Sequence, residues 1–539
     1  MILPFLAAQT LSPLTAPHGM VVSDARIAST VGRDVMMKGG NAVDAAVATA
    51  LALAVTHPAA GNLGGGGFMM IRLADGRGIA IDFRETAPAS ATHDIYVGRP
   101  DDSTVGYRAV GVPGSPAGLW EAHRRFGTMR WRDLVEPARK LATDGFPLSR
   151  ELALSLKEHA AAFRRFPASY AQFNRNGRYF APGEIFRQPE LAKTLARLEK
   201  GPDGFYRGKI AAALAEAMHK NDGLITQADL ATYKPVAREP LRANYKGYEV
   251  MTMPPPSSGG IALLQMLGTV EGKLGGFGSV DTIHTTVEAM KRAFADRSEF
   301  LGDPDFVKIP TEQLLSRSRI ESFRKAIGDK ATSSDEIKPK LDGLHEGNNT
   351  THFTVVDGAG NAVSCTTTLN TGYGSGVTVA GFLLNNEMDD FTSAPGRPNV
   401  FGLIQGEANS ITPGKRPLSS MTPTILSRDG KLFLALGSPG GPTIINTVLE
   451  TILNITEWKM DVQRAVTAPR FHHQWRPDTI SYEPFAFSTD VVDGLKAKGH
   501  IFALRPSTQG SCHAVMVLPD GWRAAGTDPR LPDAGAAGY

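Results

Sequence analysis

Apolar positions along this chain follow two different periods. Residues 41–56, NAVDAAVATALALAVT, are apolar on nearly every face, which predicts a buried helix with Gly39-Gly40 ahead of it and Pro58 just after. The glycine turn GNLGGGG leads into two alternating runs, FMMIRL and GIAIDF, that read as strands. Residues 116–145, 189–220 and 284–300 carry helical spacing, and PPPSSGG at 254–260 reads as a rigid turn. Residues 329–349 lack any period and are rich in charge, Gly and Asn, which predicts an exposed linker. Beyond it strand patterns dominate: HFTVVD, AVSCTTTL, GFLLNN, TPTILS and KLFLALG, with helices at about 441–457 and 489–499. Segregated helices and strands of this kind predict an α+β fold, sheet packed on sheet with helices outside.

The segment GNNTTHFTVVDGAGNAVSCTTTLN at 347–370 reads as a tight hairpin, with Gly358-Ala359-Gly360 as its loop. If Asp357 pairs with Asn361, cross-strand partners sum to a constant and Thr350 lies opposite Thr368. With the loop one residue longer, a register slip of one puts Thr350 opposite Leu369, still touching Thr368. Thr368 and Asn370 share a face by the period of two. The hairpin therefore gathers Thr350, Thr368 and Asn370. On this evidence alone they are ordinary residues of a sheet, since threonine is a routine strand former. Chemistry offers a second reading. A threonine hydroxyl needs a base beside it, and a chain-terminal threonine carries one in its α-amine, with a reference pKa of about 7.7–8.0. Thr350 becomes terminal only if the chain is cut before it. Its own hydroxyl can do this by attacking the Asn349 carbonyl, giving an ester that water opens.

Composition narrows the partner. The 539 residues hold 57 Lys and Arg against 54 Asp and Glu, a net charge of +3, with no basic run. That balance argues against nucleic acid and for a small molecule. Two cysteines, Cys365 and Cys512, with no CxxC pair, read as buried thiols rather than a zinc site. The first charged residue is Asp24. Residues 2–8 resemble the apolar core of a secretion signal without its basic flank, and the alternative is an apolar strand. Taking 1–16 as a degenerate leader places the protein in the periplasm or outside the cell. No later apolar run approaches the ~20 residues of a membrane span.

Longer motifs decide between the readings of the hairpin. GNNTTHFTVVD, TTTLNTGYGSG, LLNNEMDDF, KRPLSSMTPTI and GSPGG, with GGNAVDAAVA, GGGGFM, DFRETAP and AFADRSEFLGDPDF upstream and APRFHHQW and AAGY downstream, resemble the γ-glutamyltransferase (glutathione hydrolase) family of N-terminal-nucleophile hydrolases. The resemblance runs in order over nearly the whole chain. It implies a four-layer αββα sandwich and a precursor that cuts itself between Asn349 and Thr350. The large subunit, 1–349, and the small subunit, 350–539, would interleave in one structural domain and stay together as a heterodimer.

It further implies Thr350 as nucleophile on the γ-amide of glutathione or related donors, without any cofactor or metal, passing the acyl group to water or to an amino acid or peptide. Thr368 matches the threonine whose hydroxyl supports the nucleophile. Arg84 matches the arginine that clamps the substrate carboxylate, and a planar fork suits bidentate pairing. Ser419 and Ser420 match serines that donate to the same carboxylate. Glu387, Asp390 and Asn370 match the residues that hold the ammonium. Gly440 and Gly441 match the oxyanion hole, where glycine lets backbone N–H groups approach developing charge. In the lid loop this chain has Phe401 where some members carry tyrosine, so that hydroxyl is lost.

Two rivals remain: a cephalosporin or glutaryl acylase of the same fold, and a non-catalytic binder that never matures. Other signals carry less. Gly64 to Gly67 lack the lysine and serine of a phosphate cradle, His345-Glu346 has no second histidine, His472-His473 has no third ligand nearby, and no G-x-S-x-G elbow occurs.

Overall fold

A computed structural model describes residues 12–175, 177–338, 350–392 and 406–539. Two seven-stranded antiparallel sheets dominate it. One runs, in spatial order, Leu14–Ala16, Arg523–Gly526, His513–Val517, Lys431–Gly437, Thr424–Arg428, Tyr248–Thr252 and Leu241–Tyr245. The other runs Gly535–Gly538, Met20–Ser23, Thr351–Val356, Ala362–Thr368, Gly66–Arg72, Gly78–Asp82 and Val236–Arg238. Each sheet takes strands from both sides of position 350.

The strand period separates three apolar layers. Val22, Phe68, Met70 and Val356 pack between the sheets against Met251, Ile425, Ala435 and Val515. Their neighbours Met69, Val355 and Val363 point outward to the helix Ala42–Thr56, buried on all sides as its composition requires. On the far side, helices Gly259–Val270, Val280–Phe300 and Thr443–Thr456 cover Val250, Leu426, Leu434 and Ala514. The result is the expected αββα sandwich. Gly437 permits the close approach of the sheets: a Cβ there would lie 2.3 Å from the ring of His352. That ring is held by the hydroxyls of Thr366 at 2.9 Å and Thr354 at 3.0 Å, and burial pushes its pKa well down, so it is neutral.

The hairpin has the register that its loop arithmetic gives. Thr351 pairs with Thr367 and Val356 with Ala362, Asp357 N–H donates to the Asn361 carbonyl at 3.1 Å, and Gly360 turns the loop at φ +92°.

Some expectations need correction. Residues 116–145 form two helices, Ser115–Phe126 and Trp131–Asp144, because Asp44 accepts the Thr128 N–H at 3.0 Å and pins a break beside Gly127. The 189–220 stretch breaks at Gly201, φ +108°, and Pro202. The linker expected at 329–349 is not exposed throughout. Ser334 is buried, its hydroxyl donates to the Trp475 carbonyl at 2.6 Å, and Ala331 N–H donates to the Lys498 carbonyl at 2.8 Å. Residues 339–349, Asn349 included, lie outside the described residues. Of the segment read as a leader, Leu14–Ala16 is an edge strand on Arg523–Gly526. Cys365 and Cys512 are separate buried thiols. Among the described residues no helix is long and apolar enough to cross a membrane.

Candidate active site

Thr350 stands immediately before the central strand Thr351–Val356, at the boundary between two cavities. The first is lined by Arg84, Thr368, Asn370, Glu387, Asp390, Ser419, Ser420 and Gly441, together with Arg297. The second, about 470 Å³, is lined by Gly440, Asp24, Glu151, Glu158, Arg530 and Asp533 among others. The fold thus brings together every sequence-predicted site residue that it describes. Phe401 lies outside the described residues.

Glycines make the convergence possible. Gly65, Gly66 and Gly67 are buried, and a Cβ on each would lie 2.0 Å from the Thr368 carbonyl, 2.5 Å from Glu85 and 2.4 Å from the Thr366 carbonyl respectively. The GGGG run is therefore a packed entry to the strand Gly66–Arg72, which pairs Gly66 with Thr368. Asn62 fixes the same corner by donating to the Thr368 carbonyl at 2.8 Å. Beyond Thr368 the chain reverses at Asn370, φ +78°, whose amide donates to the Asn386 carbonyl at 3.0 Å. Glu387 and Asp390 sit on the single turn Glu387–Asp390, and Asn385 locks its start by accepting the Glu387 N–H at 3.0 Å.

Arg84 is fully buried, and its guanidinium bonds Glu387 through Nη1 and Asp390 through Nη2. Its remaining donors reach the Pro417 and Leu418 carbonyls, each at 3.3 Å, and Glu85 lies 3.5 Å from Nη1. One arginine therefore serves three carboxyls, two of them buried and Asp390 nearly so. Burial opposes ionisation of all three, and Arg84 only partly offsets it. Glu387 is held well above the usual carboxylate range, Asp390 is raised, and Glu85 is pushed up to about 8. Burial also works against the Arg84 charge, but Glu387 and Asp390 outweigh it and the guanidinium stays protonated.

Gly440 and Gly441 form the turn between the strand Lys431–Gly437 and the helix Thr443–Thr456. Both have positive φ, +133° and +56°, and a Cβ on Gly440 would lie 2.8 Å from Gly510 Cα. Backbone N–H groups at the start of a helix favour negative charge, so this turn suits an oxyanion. Arg297 was not singled out from the sequence as a site residue, although it lies in ADRSEF, one of the family motifs. His472 and His473 fall elsewhere: Asn446 donates to His472 Nδ1 at 2.7 Å, and His473 pairs with Asp478 at 3.2 Å.

A four-layer αββα sandwich with a threonine at the head of a central strand, facing a turn of two glycines, defines an N-terminal-nucleophile hydrolase. Residues 28–538 match the family described as Gamma-glutamyltranspeptidase. The chain is 49% identical over 540 residues to the Glutathione hydrolase proenzyme of Escherichia coli (strain K12), covering 98% of this chain and 93% of that protein. Cephalosporin acylase from Bacillus halodurans has a similar structure, with a TM-score of 0.88 and 27% identity over 100% of this chain and 98% of that one. Helicobacter pylori gamma-Glutamyltranspeptidase is 42% identical with a TM-score of 0.58, over 60% of this chain and 96% of that chain. The chain belongs to the gamma-glutamyltranspeptidase family.

Proposed function

We propose that this protein is a self-processing γ-glutamyl acyl hydrolase and transferase, acting on glutathione and related γ-glutamyl amides. The observation that carries the reading is the position of Thr350 between a cavity lined by Arg84, Glu387 and Asp390 and a second cavity bounded by Gly440. A γ-glutamyl head bears an α-carboxylate and an α-ammonium. Arg84 brings positive charge to the first, with hydroxyls of Ser419 and Ser420. Glu387, Asp390 and Asn370 meet the second. The ammonium also supplies a second positive charge to acids that otherwise share Arg84, so binding favours their ionised forms.

Maturation comes first. The Thr350 hydroxyl attacks the Asn349 carbonyl, the peptide becomes an ester, and water releases Thr350 with a free α-amine. Subunits 1–349 and 350–539 remain together, since both sheets draw strands from each. In turnover the α-amine takes the proton from the Thr350 hydroxyl as oxygen attacks the γ-carbonyl. Backbone N–H groups at Gly440 and Gly441 receive the oxyanion. The proton passes to the departing amine, leaving a γ-glutamyl ester on Thr350. The second cavity receives that amine and admits the water or the amino-acid or peptide acceptor that removes the acyl group.

The likeness to a cephalosporin acylase structure keeps a glutaryl donor as a second reading. A glutaryl group has no ammonium, so Glu387 and Asp390 would lack a partner in it. Parallel hydrolysis of γ-glutamyl and glutaryl anilides tests the choice. Preference for the glutaryl anilide would replace the γ-glutamyl assignment.

A further inference from the structure

Two motifs that the mechanism leaves unused meet at the pocket serines. ADRSEF supplies Arg297, on the buried face of the helix Val280–Phe300 and 2% exposed. PPPSSGG supplies Ser258, just before the helix Gly259–Val270. Arg297 Nε donates to the Ser258 hydroxyl at 2.8 Å, and Nη2 donates to the Ser420 hydroxyl at 3.2 Å. Ser258 in turn donates to the Ser419 carbonyl from both its N–H and its hydroxyl, each at 2.7 Å. Ser419 N–H donates to the Pro256 carbonyl at 3.0 Å.

We propose that Arg297 is a positioning residue for recognition of the α-carboxylate, orienting Ser420 directly and Ser419 through Ser258. The role rests on the γ-glutamyl reading above. A hydroxyl that accepts from a guanidinium keeps its own hydrogen for another acceptor, and the charge behind it strengthens that donation. Ser420 and Arg297 both line the cavity, so an anion there meets a polarised donor backed by a cation. Arg84 directs its own donors at Glu387, Asp390 and two carbonyls. Arg84 thus bonds the acids, while Arg297 bonds Ser258 and Ser420 on the serine side of the pocket. Arg297 also draws Asp390 toward ionisation across the cavity.

The test is a double-mutant cycle on the mature enzyme with a γ-glutamyl anilide. Arg297→Gln is expected to mature into two fragments and to raise KM about 10-fold or more, with a smaller effect on kcat, the size of a lost charge-assisted hydrogen bond. Ser420→Ala is expected to behave alike. The two together are expected to cost little more than the worse one, because both remove one interaction. Multiplying losses, or a fall confined to kcat, would overturn the proposal, since a residue that only props the fold does not couple to Ser420. Arg297→Lys keeps the charge and loses the fork, and it replaces the glutamine variant if that chain fails to mature. Wild-type KM in Arg297→Lys also overturns the proposal. All effects are read against a wild type that turns over the anilide, so failure of the γ-glutamyl reading shows separately, as an inactive wild type.

Discussion

The hydroxyl of Thr368 accepts the backbone N–H of Asn370 at 2.7 Å. The bond closes the reversal that carries the chain from the end of the strand Ala362–Thr368 into the pocket, with Asn370 in the left-handed region. Thr368→Val keeps the shape and removes the acceptor. A buried N–H without a partner costs about 1–3 kcal/mol, equivalent to about 5- to 150-fold in rate if it falls on the transition state. We expect Thr368→Val to mature slowly and to lose at least about 5-fold in kcat. Band intensities over time and steady-state kinetics measure the two effects. Wild-type behaviour in both would remove Thr368 from the machinery.

The cut before Thr350 makes the simplest prediction. Intact mass spectrometry of the purified wild type is expected to give two fragments that divide between Asn349 and Thr350. Thr350→Ala is expected to stay at full length, lacking the hydroxyl that attacks. A wild type that is uncut and fully active would defeat the mechanism, because its α-amine would still be an amide.

Arg84→Ala should separate binding from folding. The change removes the charge proposed to meet the substrate carboxylate and leaves Glu387, Asp390 and Glu85 without their shared guanidinium. Removing one partner of a buried ion pair costs about 3–5 kcal/mol. KM is expected to rise strongly and the melting temperature to fall, while maturation survives. Adding Glu387→Gln to Arg84→Ala should recover part of the melting temperature and none of the KM. An unchanged KM in Arg84→Ala would mean that this arginine serves the acids alone.

The hairpin was legible because loop length fixes register and register fixes faces. Three residues, Gly358 to Gly360, were enough to set the register that pairs Thr351 with Thr367, the neighbours of Thr350 and Thr368. The helix Ala42–Thr56 was legible because it is apolar all round, and its neighbours were overrun because Gly127 and Gly201-Pro202 break a period that continues on both sides. The strands Met20–Ser23 and Gly535–Gly538 were missed: four residues each, they carry too few positions to show a period of two, and they owe their state to pairing across more than 500 residues of chain. The same limit hid Arg297. In sequence it is one charge on a helix, and only the packing of that helix against the 254–260 turn brings it to Ser420.

The crowding of carboxyls around Arg84 also sets a pH dependence of stability. Glu85 is buried, neither of its oxygens has a hydrogen-bond partner among the described residues, and burial pushes its pKa up to about 8 from an ordinary 4.5. Between those values the unfolded chain has released this proton while the folded chain keeps it. At this group the folded state therefore binds more protons, and its contribution to stability falls as pH rises from about 4.5 to 8, then levels off. Glu387, also held above its ordinary range, acts in the same direction. Glu85→Gln replaces the neutral carboxyl by a neutral amide of nearly the same shape. We expect its urea midpoint, taken relative to the wild type's, to rise between pH 6 and pH 8. Midpoints measured at pH 6, 7 and 8 for both chains decide it. Parallel curves would mean that Glu85 is already ionised in the folded protein.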